Sequence, residues 1–237
     1  GSGAFKEEYE DAKELAKSIV SVANGADTPT TALLTDMNEV LGTTAGNAVE
    51  VRETIDFLMG RNVDPRLMDV VVALCSEMLI LAGLGDETSA PLSVRGALAS
   101  GTAAEKFAQM IAALGGPRDL MTNPDTHLPL APIRRDVIAP KRGYIGSVNT
   151  REIGVAVMDL GGGRHTATDP IDYGVGLINI QSIGAKTGPR SPVATIIART
   201  EDQADKAEKR LLAALSITGD EPKARPVVAE KITGDDL

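Results

Sequence analysis

The sequence predicts an α/β protein of the α+β kind, with a largely helical first part over residues 1–120 and a β-rich part over residues 121–237. Three observations carry this. Apolar residues recur every three or four positions through the first part, as in amphipathic helices. After Pro124 the texture changes to short β-branched runs punctuated by Pro129, Pro132 and Pro140, as in strands and turns. A chain of 237 residues, 43% hydrophobic and 24% charged, is long enough to bury the core of one or two domains. The boundary falls near residues 117–132.

The elements follow in order. Tyr9, Ala12, Leu15, Ala16, Ile19 and Val20 place a helix over residues 5–23, stopped by Asn24-Gly25. Thr30 to Met37 lacks a helical period and predicts a short buried strand. Ala48, Val49, Ile55 and Leu58 predict a helix over 45–59, closed by Gly60. Asp64-Pro65 caps the next one, because proline at the first helical position gives up only an orphan N–H. Its Leu67, Val70, Val71, Leu74, Met78 and Leu79 form a broad apolar face suited to the protein's centre. Thr102-Ala-Ala-Glu105 reads as a capping box, opening a helix with Phe107, Met110, Ile111 and Leu114 inside and Gly115-Gly116-Pro117 as its stop. Gly143 to Val148 alternates like a strand, and Asn149 to Leu160 returns to helical spacing before breaking at Gly161-Gly162-Gly163. Val175–Ile183 and Pro192–Ala198, flanking Gly184 to Pro189, predict a hairpin. Glu201 to Leu215 reads as a surface helix with Ala204, Ala207, Leu211 and Leu215 inward, and a short strand follows Gly219.

Composition excludes several functions. The longest apolar run, Val70 to Cys75, is far below the roughly 20 residues of a membrane span. No basic segment precedes an apolar one at the start, so a cytoplasmic location is expected, although a start at Gly-Ser-Gly leaves room for upstream sequence. One cysteine allows neither an internal disulfide nor a cysteine zinc cluster. A net charge of -9 with 3% aromatics argues against a nucleic-acid groove, which needs basic stripes and stacking rings.

Candidate chemistry is sparse. His127 and His165 lack a second ligand at metal spacing and read as loop or surface residues. Cys75 lies on an apolar helix face with no cation to activate its thiol. Gly161-Gly162-Gly163-Arg164 could cradle an anion, but the glycines end a helix instead of opening one, so a helix stop or loop is the simpler reading. Lys186, in the expected hairpin turn, suits either a solvated lysine or the modified lysine of a carrier module. The loop Leu41 to Glu53 is more informative. Its carbonyls and the Glu53 carboxylate could bind a hard cation, or its glycines could serve packing alone.

Gly1-Ser-Gly-Ala-Phe5, Leu34-Thr-Asp-Met37 with Gly46-Asn-Ala-Val-Glu-Val51, and Gly161-Gly-Gly-Arg164 with Asp169-Pro-Ile-Asp-Tyr173 resemble the thymidine phosphorylase and pyrimidine-nucleoside phosphorylase family. The resemblance runs over essentially the whole chain and corresponds to the C-terminal half of the family's. It implies the C-terminal part of a mixed-sheet α/β domain, followed by a portion like a barrel-sandwich hybrid. It also implies a reversible reaction of thymidine with phosphate, giving thymine and 2-deoxyribose 1-phosphate in pyrimidine salvage. Phe5 matches the ring that packs on the pyrimidine. Leu41 and Thr44, through main-chain oxygens, and Glu53, through its carboxylate, match the ligands of a structural potassium or calcium ion in some bacterial members. The family's Lys-His-Ser-Thr-Gly-Gly phosphate loop and the Arg, Ser and Lys that grip the base lie ahead of Gly1, and no such strings occur here. The resemblance therefore implies no catalytic residue in this chain, no activity by itself, a missing N-terminal half as partner, and a homodimer once complete. Nucleic acid and membrane are not expected partners. The alternative is a non-catalytic carrier or interaction module using the β-rich part.

Overall fold

The computed structural model describes residues 1–236. Helix α1 (Tyr9–Gly25) buries Ala16 and Val20, the stripe that its spacing sets on one face. It begins four residues later than expected, leaving Phe5 in the preceding turn. Asn24 then closes the turn into strand β1 (Ala32–Thr35), accepting from the Thr30 amide at 3.0 Å and donating to the Thr30 carbonyl at 3.3 Å.

Helices α2 (Asn47–Leu58), α3 (Pro65–Leu81), α4 (Ser89–Ala99) and α5 (Thr102–Ala113) follow. Asp64 caps α3 as expected, its carboxylate accepting from the Leu67 amide at 2.9 Å. The apolar face of α3 does not become the protein's centre. Val70, Val72 and Ser76 are buried, while Leu74 and Met78 are exposed. A helix period shows which residues share a face but not what covers it. Leu67, Val71, Cys75, Met78 and Leu79 line an open apolar groove of about 800 Å³ with Phe57, Leu98 and Phe107 from the neighbouring helices.

Sequence reasoning missed α4, since Pro91 and Gly96 interrupt its pattern. Its start is held by Asp86, whose carboxylate accepts from the amides of Thr88 (2.9 Å) and Ser89 (2.7 Å). Pro91 sits in the first turn, where an N–H has no intrahelical partner anyway. The expected capping box of α5 does not form. The helix begins on Gly101, at φ +80°, so Thr102 is already inside it, and no side chain caps the end. Met110 and Leu114, expected inside, are exposed.

The second part contains α6 (Pro124–His127), β2 (Ile133–Val137), β3 (Gly143–Val148), α7 (Thr150–Val157), β4 (Gly176–Ile178), β5 (Lys186–Thr187), β6 (Ala194–Ala198), α8 (Glu201–Ala214), β7 (Leu215–Thr218) and β8 (Val228–Ile232). Strand β3 matches the alternating segment end for end. Asn149 caps α7, which continues into a π turn over Met158–Gly162 that is kinked at Gly161, φ +94°. The predicted hairpin is only half right. β4 does pair with β6, Leu177 facing Ile196, but the segment between them leaves the ladder, and its β5 pairs with β3. Leu215 belongs to β7, a strand not foreseen, because its partner Val148 lies far away in sequence.

Two three-stranded sheets, ordered β2-β6-β4 and β5-β3-β7, share one core with α7 and α8. Val137, Ile145, Leu160, Leu177, Ile196 and Leu211 are sealed within it. Thr200 and Gln203 form a true capping box on α8, and Ala204, Ala207, Leu211 and Ala214 face inward. The third sheet is β1 with β8, a two-stranded pair. Every ladder is antiparallel. The mixed sheet implied by the resemblance is thus not seen among the described residues, because β1 finds its neighbour in the returning end of the chain. The fold is mixed α and β, and no sheet closes into a barrel. Among the described residues, no helix is long and apolar enough to cross a membrane.

Candidate functional site

Phe5 lies at the tip of a turn in which the Ala4 amide donates to the Gly1 carbonyl at 3.0 Å. The Gly3 amide donates to Met37 at 3.1 Å, joining this turn to the end of β1. The Phe5 ring is fully exposed, at the lip of a cavity of about 670 Å³ that it shares with Tyr9, Ala16, Leu34 and Met37. Burial of its own side chain therefore does not hold it. An exposed aromatic ring on a braced backbone is suited to stacking on a flat apolar ligand.

Thr43, Thr44 and Glu53 form a second cluster, with Leu41 in the same loop. Glu53 rises from α2 beneath the loop, and its Oε1 accepts from the Thr43 amide (2.6 Å) and hydroxyl (2.7 Å). Its Oε2 accepts from the Thr44 hydroxyl at 2.6 Å. Gly42, at φ +76°, crosses directly over this carboxylate, and a Cβ there would stand 2.8 Å from Oε2. The Leu41 and Thr44 carbonyls accept no hydrogen bond among the described residues. Two free carbonyls and the one acceptor site left on the Glu53 carboxylate are oxygen donors of the kind that a hard cation takes. Among the described residues no three His, Cys, Asp or Glu side chains gather at metal spacing. Any ion here would have Glu53 as its acidic ligand and main-chain oxygens for the rest. The loop is sewn to the second part: Ala45 exchanges hydrogen bonds with Leu177 at 3.0 and 2.8 Å, and the Ile180 amide donates to Thr43 at 2.8 Å.

A broad cleft of about 1380 Å³ lies between the start of α2, His127, the Gly161–Gly163 turn and Arg199. Arg199 holds Asp172 through two bonds of 2.7 and 2.9 Å, and its guanidinium keeps that carboxyl below its ordinary range. Asn47 donates to the Gly162 carbonyl at 2.8 Å, joining the helix start to the glycine turn. Arg164 is exposed and does not line this cleft, whereas Gly161, Gly162 and Gly163 do. His127 pairs with Asp119 at 2.7 Å, and His165 is exposed beside Asp159 at 3.5 Å. Lys186 is not at a hairpin apex. It lies in β5 opposite Tyr144, which removes the geometry that suggested a carrier lysine. Cys75 lines the apolar groove.

The cavity beside Phe5 does not include Glu53 in its lining. Sequence reasoning also missed a buried charge cluster. Arg66 of α3 meets Glu39 at 3.0 Å and Asp36 at 3.5 Å, and Glu39 accepts from the Ile183 amide at 2.7 Å. Only the acidic residues hinted at it: Asp36, inside the segment predicted as a buried strand, and Glu39, two residues after it.

Comparison with known families gives two matches. Residues 2–104 match the glycosyl transferase family a/b domain, and residues 144–218 match the pyrimidine nucleoside phosphorylase C-terminal domain. The first match spans Phe5 and the Leu41–Glu53 loop. The second spans β4, to which that loop is sewn, and its neighbour β6, but not β2.

Proposed function

From a chain that belongs to the pyrimidine nucleoside phosphorylase family, of the pentosyltransferase type, we propose a part in the reversible phosphorolysis of thymidine. In that reaction a phosphate oxygen bonds to the sugar's anomeric carbon while the bond from that carbon to the base nitrogen breaks, its electron pair leaving with thymine. The observation that carries this reading is Phe5, braced through its backbone and bare at the lip of a cavity. A ring so placed would cover one face of the pyrimidine, orient it and keep water from it.

The carbonyls of Leu41 and Thr44 and the Glu53 carboxylate would hold a potassium or calcium ion. When bound, the ion would supply fixed positive charge that stiffens this loop. Phosphate and the leaving base need pre-positioned hydrogen-bond donors, and the family's strings for them are absent from these residues. The partner is then a polypeptide carrying the Lys-His-Ser-Thr-Gly-Gly loop, and the working unit a homodimer of the completed enzyme. The open outer edges of β1 and β8 and the uncovered groove along α3 support such a partner, since free edges and apolar patches favour association.

The test is thymine release from thymidine and phosphate by the 237-residue chain, alone and mixed with that polypeptide. Turnover only in the mixture is expected. Release by the chain alone would overturn the inactivity, and a mixture that binds but cleaves no pyrimidine nucleoside would overturn the reaction.

A further inference from the structure

We infer that Ser2 and Arg151 are positioning residues for Phe5, so that the β-rich part of the chain sets the wall facing the base; this rests on the role proposed for Phe5. Ser2 spans the joint between β3 and α7. Its hydroxyl donates to the Val148 carbonyl at 3.3 Å and accepts from the Thr150 amide at 3.0 Å. The Thr150 amide is one of the helix-start N–H groups that no intrahelical carbonyl can serve. Asn149 takes the Glu152 amide, so Ser2 completes the cap of α7 from far away in the sequence.

Arg151, one residue along, reaches both sides of Phe5. It donates to the Ala4 carbonyl at 3.4 Å and to the Glu7 carboxylate at 2.7 Å. Gly3 lies between these grips with no room for a side chain: a Cβ would stand 3.0 Å from Thr150 Cγ2 and 3.1 Å from the Met37 carbonyl oxygen. The residues before and after Phe5 are thus tied to α7 while the ring stays bare. A ring without packing of its own can be pre-organised only through its backbone, and pre-organisation lowers the ordering cost of binding. Ser2 carries the larger share, because the Arg151–Glu7 pair is solvent-exposed and such pairs contribute little.

The chain contains no tryptophan, so Phe5→Trp places a single fluorophore at the wall. In the Phe5→Trp chain, the slow component of its anisotropy decay should carry most of the amplitude. Ser2→Ala should shift amplitude into the fast component, Arg151→Ala should do so less, and Ser2→Thr, which keeps the hydroxyl, should restore the parent decay. An unchanged decay in both alanine variants would overturn the inference, and Arg151→Ala keeps the test open should Ser2→Ala fail to fold. With Phe5 restored and the phosphate-loop polypeptide added, Ser2→Ala should raise the KM for thymidine on the order of fivefold with kcat little changed. A fall in kcat alone would overturn the positioning role. If the unaltered mixture cleaves no nucleoside, the proposed reaction fails while the anisotropy still decides the clamp.

Discussion

Replacing Gly42 with alanine tests the Glu53 loop by adding one methyl group. Gly42 has φ +76°, and its added Cβ would lie 2.8 and 2.9 Å from the two Glu53 oxygens. Two costs follow. Holding an L-residue in the left-handed region costs roughly 1–2 kcal/mol. Pushing the carboxylate away weakens its bonds to Thr43 and Thr44, and charged hydrogen bonds contribute about 1.5–3 kcal/mol each. If the helix lets the carboxylate retreat and one such bond is lost in full, the total is about 2.5–5 kcal/mol. Gly60 supplies the control. It has φ +69° with nothing within 4 Å of its Cβ position, so Gly60→Ala carries only the conformational cost, roughly 1–2 kcal/mol. Urea unfolding of both variants, with unchanged m-values, reads the difference directly. Equal destabilisation of the two would refute the reasoning, since the contact with Glu53 would then contribute nothing.

Acid should weaken the tie between Asp172 and Arg199. The folded Asp172 pKa lies below its ordinary 3.8, chiefly through the Arg199 hydrogen bonds, so its stabilisation is full above the unfolded value and fades as pH falls through the lower folded value. The urea midpoint should drop more between pH 5 and pH 2 in the parent chain than in Arg199→Gln, and parallel curves would rule the linkage out. Ile196 is fully buried in the middle strand of its sheet, and Ile196→Ala should cost about 2–5 kcal/mol by chemical denaturation; a loss under 1 kcal/mol would mean that this core is loosely packed. Thr200→Ala removes the cap hydroxyl that accepts from Gln203 at 3.2 Å and should cost about 1 kcal/mol, with an unchanged urea midpoint as the contrary result.

Much of this fold was legible because it is local. The period through Ala16 and Val20 finds the buried stripe of α1, Asp64-Pro65 finds the start of α3, and the alternation of residues 143–148 finds β3. What failed depends on distant partners. Leu215 continues into β7 because Val148 waits opposite it, and Lys186 leaves its supposed turn because Tyr144 does. Met78 lies on the face expected to be inside, yet nothing among the described residues covers it. The site divides in the same way. That Thr43 and Thr44 could face Glu53 follows from a loop running into a helix, whereas Ser2 at Val148, or Glu39 at Ile183, has no local signature.

These distant contacts share a direction. Ser2 reaches Val148 and Thr150, Glu39 reaches Ile183, Thr43 and Ala45 reach Ile180 and Leu177, and Asn47 reaches Gly162. Each joins a loop or turn carrying a proposed site residue, or one beside it, to the two-sheet part. Loops of this kind have little internal hydrogen bonding and take their shape from what they touch. Neither the cavity beside Phe5 nor the cleft at the start of α2 is lined by both the Phe5 turn and the Leu41–Thr44 loop, and neither sets their spacing. It is set by the rigid body on which both are fastened, the core of Ile145, Leu177 and Ile196. A cavity cut in that core should therefore disturb both sites together. A substitution on the exposed face of α5, such as Met110→Gln, should disturb neither.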